Sequence, residues 1–342
     1  MGYLSILLLI NRYSEAFRVS LYILCYNLVI VKDRFIATLL SSAIGDALGM
    51  PLEGVSRSKV LAKFHGPVMD FQDSGSRGLK AGQFTDDTQM MLAIAESIVD
   101  KKGVDPEDIG KRFVAWFESG DVRGAGRACT ESIERLRKEK SWDKAGKSGE
   151  WAAGNGSAMR IAPIALFDYK NYERLKQDVY VTSIITHNNT EAVAGATALA
   201  YGIAKNLTLE SVDVEDYLLD IISFIDPICE SVADKLREVN TLIFDQTPIH
   251  VALLEIGTSA YVVESVSAAF YIFCRSPENL ERIISEAASA GGDNDTIACM
   301  AGGLAGALNG LDSIPRRWLE GLEARNHIAN LASDIFDLVD GG

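Results

Sequence analysis

From Phe35 onward, apolar residues recur at three- and four-residue steps along most of the chain, the spacing that gathers them on one face of a helix. The pattern predicts helices over Glu107 to Glu118, Thr130 to Lys140, Glu191 to Lys205, Val214 to Ile225, Ile228 to Val239, Val262 to Cys274, Pro277 to Ser289 and Pro315 to Leu338. Asp105-Pro106-Glu107-Asp108 and Ser276-Pro277-Glu278 set proline and acids in a first turn, where the missing N–H is no loss and carboxylates meet the positive end of the helix dipole. Ala37 to Ile44 is small and apolar, a surface on which another helix can pack closely. Val/Ile/Tyr-rich alternation is scarce, and Asp178 to Ile185 is the best strand candidate. No βαβ rhythm appears, no GxGxxG follows a strand, and no repeat of fixed period is visible. The fold class is all-α, with residues 34–342 expected to form one domain.

The first 33 residues follow a different pattern. Leu4 to Ile10 and Val19 to Val31 are strongly apolar but are divided by Arg12, Glu15 and Arg18, and neither run reaches the roughly 18–20 residues that span a bilayer. An interfacial amphipathic helix, a packing helix and a start assigned too far upstream all fit; the last, with a start near Val31 or Lys32, is the favoured expectation. Residues 1–33 are therefore set apart as an extension, and a membrane-bound protein is not expected.

Composition narrows the function. The chain has 342 residues, 48% of them hydrophobic, enough for a large core. Its net charge of −14 argues against nucleic acid as a partner, since a phosphate backbone would be repelled over most of the surface. Five scattered cysteines without CxxC spacing read as free thiols in a reducing compartment, hence a cytoplasmic location.

The candidate chemistry lies in Gly-containing segments between helices. Thr85-Asp86-Asp87-Thr88 and Asp293-Asn294-Asp295-Thr296 each precede a run of small apolar residues. Thr and Asp are good N-caps, so either cluster alone reads as an ordinary cap. One cap needs one such side chain, however, and each cluster supplies two carboxylates and a hydroxyl. An acidic chain has little reason to bring four carboxylates together unless a cation neutralises them, and carboxylate and hydroxyl oxygens suit Mg²⁺ or Mn²⁺. Two such ions are expected. A terpenoid-type DDxxD motif is excluded, because Met90 stands where the third acid would be.

Gly154-Asn155-Gly156-Ser157-Ala158-Met159-Arg160 reads as a tight loop entering a helix at Ala158, either a phosphate cradle or a plain turn. His187 precedes an Ala-rich helix and is either structural or a ligand contact. Asp46, in Ile44-Gly45-Asp46-Ala47-Leu48-Gly49, reads as a structural cap, and Glu53 as the better candidate to face the metals. The charged stretch Glu131 to Lys147 reads as a solvated helix and loop.

Taken in order, these segments resemble the ADP-ribosylglycohydrolase family, which includes dinitrogenase reductase-activating glycohydrolase and the ADP-ribosylarginine and ADP-ribosylserine hydrolases. The match runs from Ile44–Glu53 through Thr85–Thr88, Gly154–Arg160, Thr186-His187 and Gly257–Ser265 to Gly291–Thr296, roughly residues 33 to 311. The resemblance implies a compact, orthogonally packed multi-helix fold with a binuclear centre. It assigns Thr85, Asp86, Asp87, Asp293, Asp295 and Thr296 as ligands. It implies cleavage of the N- or O-glycosidic bond of ADP-ribose on a protein side chain or small conjugate, with Glu53 or a metal-bridging Asp, Asp87 or Asp293, positioning water. Asn155, Gly156, Ser157, Ala158, Met159 and Arg160 would cradle the diphosphate, and His187 would contact the ligand. Some relatives carry an acid just before the Asn-Gly loop, where this chain has Trp151-Ala152-Ala153. The family also contains non-enzymatic lens proteins, so a non-catalytic ADP-ribose binder and a hydrolase of another nucleoside diphosphate or N-glycoside stand as alternatives.

Overall fold

Two helices from opposite ends of the chain share the centre of the molecule because their facing residues are small. In the computed structural model, which describes residues 15–138 and 140–340 with side chains from residue 28 onward except Glu150, α1 (Glu15–Gly49) packs along α15 (Asn294–Asn309). A Cβ on Gly45 would stand 2.0 Å from the Ala298 carbonyl oxygen, one on Gly302 2.2 Å from that of Ser41, and one on Gly306 2.4 Å from that of Ala37. The backbones meet at separations that only glycine permits.

Between these two helices, in chain order, lie α2 (Arg57–Phe64), α3 (Asp86–Lys101), α4 (Pro106–Glu118), α5 (Arg127–Arg137), α6 (Trp142–Ala145), α7 (Ala162–Phe167), α8 (Tyr172–Ile184), α9 (Thr190–Asn206), α10 (Val214–Ile225), α11 (Glu230–Phe244), α12 (Ile249–Ile256), α13 (Val262–Arg275) and α14 (Leu280–Ala287). After α15 come α16 (Arg316–Gly321) and α17 (Arg325–Asp340). Helix α17 closes over α1 and α3, α14 lies on α15, and α13 packs against both α9 and α15. The fold is all-α, as expected. Its paired strands among the described residues are two residues each, β1 (Lys147–Ser148) and β2 (His187–Asn188), in parallel register Lys147 to His187.

The strand expected at Asp178 to Ile185 is instead the end of α8. Asn171 caps that helix by accepting the Arg174 N–H, and Leu175, Val179, Thr182 and Ser183 form one buried stripe at three- and four-residue steps. Burial of that stripe overrides the β-propensity of its valines and isoleucines. The single helix expected over Pro315 to Leu338 is broken, with Ala324 at φ 52° just before α17. Helices α2, α6, α7 and α12 are too short to show periodicity, and α14 begins three residues after Pro277, with Asn279 as its cap. The charged stretch Glu131 to Lys147 holds the end of α5 and the single turn α6.

Residues 1–14 lie outside the described residues, so the expectation for residues 1–33 meets the structure only from Glu15, where α1 begins and runs past position 33 without a break. Within it, Lys32 pairs with Asp337 at 2.7 Å, and Asp33 accepts the Leu311 N–H at 2.7 Å. Arg34 donates to the carbonyl oxygens of Asn206, Leu207 and Leu209 at 2.7–3.2 Å, capping the end of α9. By length and hydropathy Leu28–Leu52 could cross a membrane, but 89% of its most apolar window is buried within the protein. Its apolar character is that of a core helix.

Candidate metal centre and ligand cavity

The start of α3 is fixed from below by Asp46. Its carboxylate accepts the Thr85 N–H at 3.0 Å, the Thr85 hydroxyl at 2.9 Å, the Thr88 N–H at 3.1 Å and the Thr88 hydroxyl at 2.6 Å. Asp46 is thus the structural cap anticipated for it. Because Asp46 and Thr85 perform the capping, Asp86 and Asp87 are released from it and line a cavity of about 240 Å³. Thr85 is fully buried, its hydroxyl turned to Asp46, and is not part of the cavity lining.

The start of α15 is fixed from the side. Gly292 adopts φ 72°, and a Cβ there would meet the Thr258 carbonyl oxygen at 2.2 Å. That turn lets Asp293 donate its N–H to Thr258 at 2.8 Å. Asn294 then ties α15 to the turn carrying Glu53: its side chain accepts the Gly291 N–H at 2.7 Å and donates to the carbonyl oxygens of Leu52 at 2.5 Å and Val55 at 3.3 Å. Gly54 adds a backbone bond to Gly292 at 2.8 Å. In consequence Glu53, Asp293 and Asp295 each offer an oxygen within 4.8 Å of the others. Thr296 follows at the cavity wall.

Two pairs of carboxylates about two hundred residues apart in sequence therefore line one cavity, with Glu53 beside them. Burial, then the charge of Asp46, pushes the Asp86 carboxyl up to about 7. Burial, followed by neighbouring carboxylates, raises Asp87 and Asp295 well above the usual range. The Oδ2 of Asp87 is buried without a hydrogen-bond partner. Carboxylates crowded in this way hold protons unless a cation replaces them.

The opposite wall comes from the Gly154–Met159 loop. It forms a 3₁₀ turn over Asn155–Ser157, and the helix beyond it, α7, starts at Ala162 rather than Ala158. The N–H groups of Ala158 and Met159 are spent on the Asn155 carbonyl, and that of Asn155 on Ala260. The Asn155 side chain donates to Asp293 Oδ2 at 2.6 Å and to Ser265 Oγ at 3.1 Å, so the loop orients a carboxylate of the centre. Asn155, Gly156 and Met159 line the cavity, whereas Ser157, Ala158 and Arg160 are fully buried behind it. The Arg160 guanidinium donates to Thr186 Oγ1 at 2.6 Å and lies 4.6 Å from the centroid of the Phe113 ring. Thr186 in turn bonds His187 Nδ1 at 2.8 Å. His187 lines the cavity, and burial, then Arg160, pushes its imidazole down to about 3, so it is neutral at physiological pH. A Cβ on Gly156 would meet His187 Cε1 at 2.6 Å, which is why a glycine faces the ring.

Four features of the site carried no sequence signal of their own. Arg77 stands alone in a Ser/Gly turn, yet it pairs with Glu53 and lies 3.9 Å from Asp295. Cys129, a buried thiol pushed up to about 11 by burial, and the largely exposed Trp151 also line the cavity. The role of Asn294 as a tie between segments shows only once the chain is folded.

The family model described as ADP-ribosylglycohydrolase matches residues 28–342. ADP-ribosylarginine hydrolase Tri1 of Pseudomonas putida is 32% identical over 312 residues, covering 89% of this chain and 78% of that protein. ADP-ribosylhydrolase ARH3 of Gallus gallus is 29% identical, covering 89% of this chain and 93% of that protein. A solved structure titled ADP-ribosylglycohydrolase-related protein complex superposes with a TM-score of 0.74 at 29% identity, over 90% of this chain and 99% of that one. The class defined by the fold and the cavity is that of an all-helical glycohydrolase. The chain belongs to the ADP-ribosylglycohydrolase family.

Proposed function

We propose that this glycohydrolase cleaves the glycosidic bond between ADP-ribose and a protein side chain or small conjugate, in the cytoplasm, using two divalent cations, Mg²⁺ or Mn²⁺. The observation that carries the reading is the meeting of Glu53, Asp86, Asp87, Asp293 and Asp295 in one cavity with Asn155 and His187. The donor set fits hard cations: it is entirely oxygen, three carboxylates lie within mutual reach, and a buried Asp87 oxygen has no protein partner. Asp86, Asp87, Asp293, Asp295 and Thr296 would hold the ions, with Thr85 supporting the first pair from behind. When bound, such ions keep these carboxylates ionised and polarise a sugar hydroxyl or water.

The rest of the chemistry falls to the chain itself. Glu53, on the exposed rim of the cluster, would take a proton from an attacking water. Asn155 holds Asp293 in a fixed orientation. His187, neutral and locked by Thr186, offers an uncharged contact to the ligand, while Gly156 and Met159 shape the wall on which the diphosphate would lie. Residues 34–342 act as one unit, because the proposed site residues run from Glu53 to Thr296.

The test is release of free ADP-ribose from arginine-, serine- and acetyl-linked conjugates with Mg²⁺ or Mn²⁺ added. Asp86→Ala and Asp293→Ala should each lower turnover by at least about a hundredfold, the scale of losing a charge-stabilising group. Full activity in chelator would remove the metal from the mechanism, and binding of ADP-ribose without cleavage of any conjugate would favour a non-catalytic binder.

A further inference from the structure

Among the described residues, Arg77 is a cation set directly among the acids. Its guanidinium pairs with Glu53 and reaches within 3.9 Å of Asp295, two of the three carboxylates that cluster within 4.8 Å. It also lies beside the first acidic pair: a Cβ on Gly124 would meet Arg77 Nη1 at 2.4 Å and Asp86 Oδ1 at 3.2 Å. One side chain thus spans Glu53 before α2, Asp86 on α3 and Asp295 on α15.

Arg77 sits at the tip of a turn that is anchored only at its base. Ser74 and Leu79 form an antiparallel bridge, Asp73 accepts the Ala81 N–H at 2.9 Å, and a Cβ on Gly82 would meet the Gly321 carbonyl oxygen at 2.0 Å. At the tip, Gly75 and Gly78 face open space. The side chain is 26% exposed and lines the cavity, so it can leave without disturbing the core.

A guanidinium lodged beside Asp86 and Asp295 and a divalent cation held by those carboxylates would compete for the same space. We propose that Arg77 is an internal counter-ion, a latch that neutralises the acidic centre of the metal-free protein and is displaced from it when a divalent cation loads. The proposal rests on the metal reading above. The planar guanidinium presents five donors in a fixed fork and reaches over a wider span than the compact three-donor ammonium of lysine. A binding site that is blocked part of the time loses apparent affinity in proportion to the blocked fraction.

Two measurements on the chelator-stripped protein test this. The first is trypsin cleavage of the wild type, comparing the bond after Arg77 with that after Lys80, whose side chain is 78% exposed. Loading Mn²⁺ should speed the cut after Arg77 several-fold while leaving the Lys80 cut unchanged. The second is calorimetric titration of Mn²⁺ into wild type, Arg77→Gln and Arg77→Lys. Arg77→Gln should bind about tenfold more tightly than wild type, with Arg77→Lys between them. If wild type binds Mn²⁺ but Arg77→Gln binds it equally or more weakly, the latch is overturned and the metal centre stands. If calorimetry shows the ion bound and the Arg77 cut is not accelerated, the latch is likewise overturned, with no variant needed. If the wild type binds no divalent cation, the metal reading falls and the latch with it.

Discussion

Among the described residues, the Asn155 side chain donates to Asp293, and that contact joins the loop wall of the cavity to its acidic floor. A hydrogen bond to a charged acceptor is worth about 1.5–3 kcal/mol. Asn155→Ala should therefore lower kcat/KM by roughly ten- to a hundredfold, with circular dichroism unchanged; steady-state kinetics on a cleaved conjugate checks it. At this scale the sequence displayed the acids plainly, since paired carboxylates beside a helix start are conspicuous. It could not separate carboxylates that cap from those that face the cavity, because Asp46 and Asp86 are chemically alike and only the packing of α1 beneath α3 sets Asp46 to capping. Nor could it show that Arg160, four residues after Gly156, turns inward to Thr186 while Met159 faces the cavity. Arg77 was invisible because its significance lies wholly in what folds around it.

At the scale of elements, the contact of α1 with α15 joins the helix that carries Asp295 to the one whose Asp46 fixes the start of α3. A Cβ on Gly45 would collide with the Ala298 carbonyl oxygen at 2.0 Å, and one on Gly49 with that of Asn294 at 2.4 Å. Gly45→Ala must push the two helices apart, at a cost of about 3 kcal/mol, and should lower Tm by roughly 5 °C. Gly75→Ala, in open space, should leave Tm unchanged, so paired thermal melts decide the matter. Long amphipathic helices such as α4, α9, α10 and α13 were legible in the sequence from periodicity. Short ones were not, and α8 was misread over its last turns, because a β-branched run carries no mark of the partner that buries one face of it.

Across the whole molecule, the crowding of acids sets a pH dependence. The folded-state carboxyls of Asp86, at about 7, and of Asp87 and Asp295, higher than usual, all lie above the unfolded value near 3.8. The folded protein thus binds these protons more tightly than the unfolded chain does. Their contribution to stability is present below about pH 4 and is lost as pH rises through 7. In chelator, Tm should fall over that window more steeply for wild type than for Asp87→Asn, and divalent cations should offset the fall; scanning calorimetry at several pH values measures it. That one site draws on both ends of the chain was readable from the order of the motifs, but the depth of its burial was not.

The pairing of α1 with α15 also bears on how the protein is made. Asp86 and Asp87 leave the ribosome more than two hundred residues before Asp295, and the helix that brings these groups together is among the last to emerge. Until then the nascent chain has an unmatched α1, apolar and small-faced, and only part of the proposed cation site. An ion that binds the finished fold and not its precursors withdraws folded molecules from the equilibrium by mass action. Loading would then act as a ratchet late in synthesis, securing the contact of α1 with α15.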